Sequence, residues 1–408
     1  MATTTRCRIC GGTVREFLDF GRQPLADSFV GEAGFADEFF YRLAVGLCGD
    51  CTMVQLMEEV PHERMFHRAY PYQSSGSTVM QAHFEKTAHR FLENDLKGGD
   101  PLIIELGSND GAMLESIARA GVRHVGVEPC GDVAELAAAK GITVVNEFFS
   151  EQTADRLLDE HGTADVIFSA NTFSHISYID SIFRGIDLLL APSGIFVFED
   201  PYLADIVELT SFDQIYDEHF YFFSVRSVQA MAARFGFELV DVERLPVHGG
   251  ELRYTVVRAG ARRPSAAVAE ALAEERTRGI ALPETLERFA DNVRRVRGDL
   301  MALLRGLREQ GKSIAGYGAT AKSSTVMNYC GITSELIGRV YDNTPAKQGW
   351  LTPGSHIPVL SPAAFAEAYP DYAVLFAWNH ADEIMAKERG FREAGGKWIF
   401  YVPDVHVV

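Results

Sequence analysis

The chain has 408 residues, and its 38 lysines and arginines against 56 aspartates and glutamates give a formal charge of −18. One hydrophobic core seldom grows past about 250–300 residues, so two or three domains are expected, and 47% apolar with 23% charged residues excludes disorder. The acid excess argues against nucleic acid or an anionic membrane as partner; no segment offers the ~20 apolar residues of a membrane span, and Met1–Thr5 lacks the apolar run of a signal peptide, so a soluble, cytoplasmic protein is expected.

The first seventy residues read as irregular, with glycines and short apolar runs but no sustained helical period. Two C-x₂-C knuckles stand there, Cys7-Arg-Ile-Cys10 and Cys48-Gly-Asp-Cys51. Four thiolates on two short turns close a tetrahedral Zn²⁺ site and leave no open position, so Cys7, Cys10, Cys48 and Cys51 are expected to hold a structural metal.

From Pro101 the texture becomes α/β. Leu102–Leu106 reads as a buried strand, Met113–Ala120 as a helix, Val125–Glu128 as a second strand, Val133–Lys140 as a helix, Ile142–Val145 as a third strand and Asp165–Ser169 as a fourth. Tyr178–Leu190 reads as a helix and Gly194–Glu199 as a fifth strand. Alternation with short connections implies a parallel sheet covered on both faces. Gly236–Val240 and Leu252–Arg258 add antiparallel strands at one edge. After Pro283, apolar residues from Leu286 to Leu307 recur every three or four positions, a helix bridging two domains. A second α/β unit follows, with strands at Ser313–Gly316, Leu336–Tyr341, Ala373–Phe376 and Trp398–Val402, and helices near Ala321–Tyr329 and Ala381–Glu388.

Two glycine turns open helices after strands. In the first, Glu105-x-Gly107-Ser108-Asn109-Asp110-Gly111, small residues let a ligand approach the backbone, and Glu128 ends the second strand where a carboxylate can accept ribose hydroxyls. This pattern resembles the class I S-adenosylmethionine-dependent methyltransferases. By that resemblance Glu105, Gly107, Ser108, Asn109, Gly111 and Glu128 hold the donor, Glu147 and Phe148 meet adenine, and Asn171 lines the methyl-transfer pocket. The second turn, Gly316-x-Gly318-x-x-Ala321 with Asp342 ending the next strand, matches a looser dinucleotide fingerprint. It leaves open a nicotinamide-dependent oxidoreductase acting on a nucleotide sugar, although a helix start beside Lys322 would equally suit a sugar-nucleotide diphosphate.

Asn171–His175 lies just past the fourth strand, and Phe212–Tyr221 follows the fifth at the same sheet edge, where open α/β sheets bind ligands. Methylating carbon needs a base to remove a C–H proton and groups that stabilise the enolate, and a histidine can be that base. Taken together, the Cys₄ module, Tyr70-Pro-Tyr72-Gln-Ser-Ser-Gly76-Ser77, the methyltransferase core, Asp213–His219, Pro246-Val-His248-Gly-Gly250-Glu251 and Gly316–Ser323 resemble one family over essentially the whole chain. That family is the sugar C-3-methyltransferases acting on dTDP-4-keto-deoxysugars in antibiotic pathways.

The resemblance implies that His219 removes the C3 proton with Tyr216 alongside, that Glu218 and His175 line the pocket, and that Tyr70 closes over it. Tyr72, His248, Lys322 and Ser323 are the implied substrate contacts. The implied architecture is a zinc-binding module over residues 1–70, a class I (Rossmann-like) methyltransferase core over 71–260, a helical linker over 261–310 and a C-terminal Rossmann-like α/β domain over 311–408 that binds the sugar nucleotide. The expected enzyme is a monomer acting on a small dTDP-linked 4-keto-2,6-dideoxysugar, 3-amino or 3-hydroxy, with S-adenosylmethionine and structural Zn²⁺.

Overall fold

The computed structural model describes residues 3–66, 70 and 72–408; Pro71 of the tyrosine segment lies outside them. Three sheets organise the chain. The N-terminal sheet is antiparallel, in the order Thr4–Arg6, Thr13–Pro24, Phe40–Cys48, Val54–Leu56 and, from far along the chain, Tyr221–Phe222. The expectation of irregular structure fails here. Two strands of 12 and 9 residues are present, and their alternation is hidden in the sequence because the register slips between Glu16 and Leu18 and again between Asp19 and Arg22. Such irregularities break the period of two on which a strand is recognised.

The central sheet has seven strands, in the order Phe237–Leu245, Glu251–Arg258, Leu190–Pro201, Ala164–Ala170, Leu102–Leu106, Arg123–Val127 and Val144–Val145. Its last five strands run parallel, and Glu251–Arg258 runs antiparallel to both of its neighbours. Leu102–Leu106 is buried at every position, as a central parallel strand with both faces covered must be. Helix Ile179–Leu189 turns Ile182, Phe183, Ile186 and Leu189 onto the sheet, with the i, i+3, i+4, i+7 spacing of one apolar stripe. Helix Thr78–Asn94 covers the other face through Met80, Phe84, Ala88 and Phe91.

A third sheet, Val359–Leu360, Val340–Tyr341, Ile314–Tyr317, Tyr372–Leu375, Lys397–Phe400 and His406–Val407, forms the C-terminal unit and is parallel except at its last pair. Its second strand is shorter than the sequence suggests. The apolar residues Leu336 and Ile337 precede it in a turn where both backbone amides bond to Thr333. Residues 261–310 are two helices, Ala266–Arg278 and the 27-residue Pro283–Glu309. The longer one buries Leu286, Phe289, Val293, Val296, Leu300 and Leu304 against the strand Thr13–Pro24 and the helix Ala321–Cys330. At about 1.5–3 kcal/mol for each fully buried large apolar side chain, this seam ties the first and last parts of the chain together.

Candidate active site

In the N-terminal sheet, the four sulfurs of Cys7, Cys10, Cys48 and Cys51 lie within 4.8 Å of one another. Cys7 and Cys51 are 3.6 Å apart and Cys10 and Cys48 3.4 Å, close to the ~3.8 Å edge of a tetrahedron of sulfurs around an ion 2.3 Å away. Donors already point at the sulfurs: Ile9 N–H and Gln55 Nε2 at Cys7, and Gly12 N–H at Cys10. Thiolates bound to a metal want such donors. Residues and surroundings fit a zinc ion.

At the carboxyl ends of the central strands, the chain closes a cavity around Gly107, Asn109, Glu128, Phe148, Asn171 and Thr172. Gly107 has φ of +72°, and a Cβ there would overlap Thr172, so only glycine fits the turn. Glu128, 5% exposed, accepts from Asn109 N–H and Cys130 N–H, both at 2.8 Å. Two backbone donors fix the carboxylate on the cavity wall, although burial pushes its pKa up. Glu105 lies beneath the turn, also buried, with Oε2 unpartnered. Burial, then Asp110, Glu128 and Glu199, hold its carboxyl well above the usual range. Glu105, expected to hold the donor, is not among the residues that line the cavity. Ser108 and Gly111 shape the turn without lining the cavity: a Cβ on Gly111 would overlap Ile142.

Glu147 does not join them. It turns outward to Arg156 at 2.5 Å, leaving Phe148 and Phe149 as the wall. His62 and Tyr178, which the sequence gave no reason to single out, complete the aromatic surround, His62 lying 4.5 Å from Phe148 and 5.4 Å from Tyr178 by ring centroids.

A larger open cleft adjoins this cavity and runs to the C-terminal unit. Tyr70, Tyr72, Asn171, His175 and His248 line both spaces. Tyr216, Glu218 and His219 stand on the cleft side. His219 is 4% exposed. Its Nδ1 lies 2.8 Å from the Gln214 carbonyl, which can only accept, so the proton is on Nδ1 and the Nε2 lone pair takes the Tyr216 hydroxyl at 2.9 Å. Burial, then His175, hold the imidazole well below its ordinary pKa, hence neutral. Burial pulls His175 to about 3. Glu218 accepts from Tyr70 Oη at 3.1 Å, and burial with Asp27 and Asp217 raises its carboxyl well above the usual range. Burial thus disfavours the charged forms of His219, His175 and Glu218 alike.

Toward the C-terminal unit, Lys322 and Lys347 flank the Gly318–Thr320 turn. Lys322 Nζ reaches the His248 carbonyl at 3.3 Å; Lys347 Nζ reaches the Ala319 carbonyl at 2.9 Å and Asp27 at 3.3 Å. Ser323 is not among the cleft residues. It is the third helical residue, its N–H donating to the hydroxyl of the N-cap Thr320 and its own hydroxyl to the Thr320 carbonyl, so the helix cap claims it. Asp27 and Lys347, 320 positions apart, were invisible to sequence spacing, which carries no signal for long-range pairs.

Comparison with known proteins decides the family. C-methyltransferase NovU from Streptomyces niveus is 37% identical over 411 residues, covering 98% of this chain and 96% of that one. The chain belongs to the C-methyltransferases. Three family models match this C-methyltransferase in succession: "Putative zinc binding domain" at residues 7–66, "Methyltransferase domain" at 79–242 and "C-methyltransferase C-terminal domain" at 246–403. Ubiquinone biosynthesis O-methyltransferase from Mesorhizobium japonicum is 31% identical over 96 residues, 23% of this chain and 38% of that one. Magnesium protoporphyrin IX methyltransferase from Synechocystis, at 12% identity, covers 45% of this chain and 88% of its own with a TM-score of 0.35, too loose to add weight. The enzyme is a methyltransferase with a class I core that uses S-adenosylmethionine, and its four N-terminal cysteines form a zinc site. No helix among the described residues is long and apolar enough to cross a membrane.

Proposed function

We propose that this C-methyltransferase methylates C3 of a dTDP-linked 4-keto-2,6-dideoxysugar, working as a monomer, with residues 311–408 as the sugar-nucleotide-binding unit. The observation that carries the reading is His219 on the cleft wall, its Nδ1 proton held by the Gln214 carbonyl and its Nε2 lone pair by the Tyr216 hydroxyl, which also lines the cleft.

A 4-ketone acidifies the neighbouring C–H. His219 Nε2 takes the C3 proton, and the C–H electron pair becomes the C3=C4 bond of an enolate whose oxygen carries the charge. The Tyr216 hydroxyl, released from Nε2 by the sugar, turns to that oxygen, as do the protonated Glu218 and the Tyr70 hydroxyl. S-Adenosylmethionine supplies the electrophilic methyl for C3. Glu128 and the Gly107 turn hold the donor on one side of Asn171, while Lys322 and Lys347 hold the diphosphate on the other.

His219→Asn keeps size and removes the basic nitrogen. Turnover number should fall by about 10²–10⁴-fold, with S-adenosylmethionine affinity by calorimetry near wild type. In D₂O with S-adenosylhomocysteine, wild type should exchange the C3 hydrogen of the keto-sugar and the variant should not. Product NMR placing the methyl on C5, the other carbon beside the ketone, would overturn the C3 assignment. Because His219 titrates below its ordinary range, the acid limb of kcat should lie well below pH 6.5; an acid limb near 6.5 would remove it as the base.

A further inference from the structure

Glu251 opens the strand Glu251–Arg258, opposite Pro201. It is 1% exposed, and neither carboxyl oxygen has a hydrogen-bond partner. A buried acceptor left unmade costs about 1–3 kcal/mol, more if charged. The cations that should relieve it are engaged elsewhere. Arg253, on the same face two residues on, is taken by Glu199 at 2.6 Å, Glu243 at 2.7 Å and Thr87 at 2.8 Å. Lys322 lies near enough to lower the Glu251 pKa but points its ammonium at the His248 carbonyl. Asn171 draws on the carboxyl in the same direction without closing a hydrogen bond.

The position matters as much as the vacancy of partners. Tyr72, Asn171 and His248, which surround the start of this strand, line both cavities, at the seam where donor methyl and sugar carbon must meet. Glu251 itself lines neither cavity, but Asn171, which lines both, is close enough to act on its carboxyl. Burial, then Glu199 and Asp200, keep it protonated until a cation arrives.

We infer that Glu251 selects the substituent beside the reacting carbon, binding a C3 amine as its ammonium in preference to a C3 hydroxyl. This rests on the proposed sugar methylation and narrows its substrate class. Two orphan oxygens offer several lone pairs; an ammonium brings three donors and a charge, a hydroxyl one donor and none. The proton of the carboxyl passes to the amine, leaving a carboxylate–ammonium pair with no net change in charge. Asn171 and Tyr72 turn aside as the amine enters. The ammonium withdraws electrons from C3, so the same pair acidifies the C–H bond that His219 breaks.

The test is methyl transfer by the full-length zinc enzyme to a matched pair of dTDP-4-keto-2,6-dideoxysugars, one 3-amino and one 3-hydroxy, with Glu251→Gln and Glu251→Asp alongside wild type. Wild type should favour the amino sugar by about 10²-fold in kcat/KM. Glu251→Gln should collapse that preference to within about threefold, chiefly through KM for the amino sugar, and Glu251→Asp should keep a preference of about tenfold. S-Adenosylmethionine affinity should be unchanged in both. Equal or reversed preference in wild type, or equal losses on both sugars in Glu251→Gln, would overturn the inference. So would a tenfold or greater loss of donor affinity, which would put Glu251 on the donor's own ammonium. Methylation of the hydroxy sugar alone sinks this inference and leaves the proposed reaction standing; methylation of neither sinks both.

Discussion

The central and C-terminal α/β units solve one local problem in the same way. In the first, Glu128 ends the second strand and bridges the Asn109 and Cys130 amides, both at 2.8 Å. In the second, Asp342 does the same between the Ala319 amide at 2.7 Å and the Thr344 amide at 2.8 Å. Each glycine turn is thereby pinned by an acid from the neighbouring strand. The surroundings differ. The first turn sits over Glu105 in a cavity walled by aromatic rings, the second between Lys322 and Lys347 in an open cleft. The same backbone device therefore stands in opposite surroundings: buried acids around the first turn, lysines beside the second. A glycine fingerprint reports the turn, and the side chains one shell out report the charge of what it holds.

That contrast can be broken at four points. The largest effect should come from the metal, because the N-terminal sheet touches both units. Cys48→Ser should lower zinc per chain by elemental analysis and cost on the order of 4 kcal/mol or more in denaturant unfolding. Glu128→Ala should weaken S-adenosylmethionine binding by about 1.5–3 kcal/mol in calorimetry while sparing dTDP. Lys322→Met should act in the reverse sense, raising KM for the nucleotide sugar by about tenfold with donor affinity unchanged. If either substitution weakened both ligands equally, the division of labour between the units would be wrong. The smallest change belongs to Asp342→Asn, which keeps an acceptor for one amide and should cost about 1 kcal/mol of stability.

What the sequence disclosed follows from how local each signal is. Cys7, Cys10, Cys48 and Cys51 are two short knuckles whose residue type has few other uses, and Gly107 and Glu128 follow strands whose apolar runs mark them. Glu147 and Ser323 were misjudged because strand-end position says where a residue stands but not where its side chain turns; Arg156 and the Thr320 cap claim them instead. The N-terminal strands hid behind register slips. Asp27, Lys347 and Glu251 acquire their meaning only from tertiary placement, and no local spacing encodes that.

The strand Tyr221–Phe222 carries one more consequence. It hydrogen-bonds along Val54–Leu56, with Leu56 N–H also on the Phe220 carbonyl at 3.1 Å. During translation the cysteine module therefore emerges first yet stays one strand short until residue 222 has left the ribosome. Over that interval the Val54–Leu56 edge stands open, the kind of edge on which chains pair with one another. Closing it also pins the chain two residues beyond His219, so one strand pairing completes the cysteine module and anchors the end of the His219 segment.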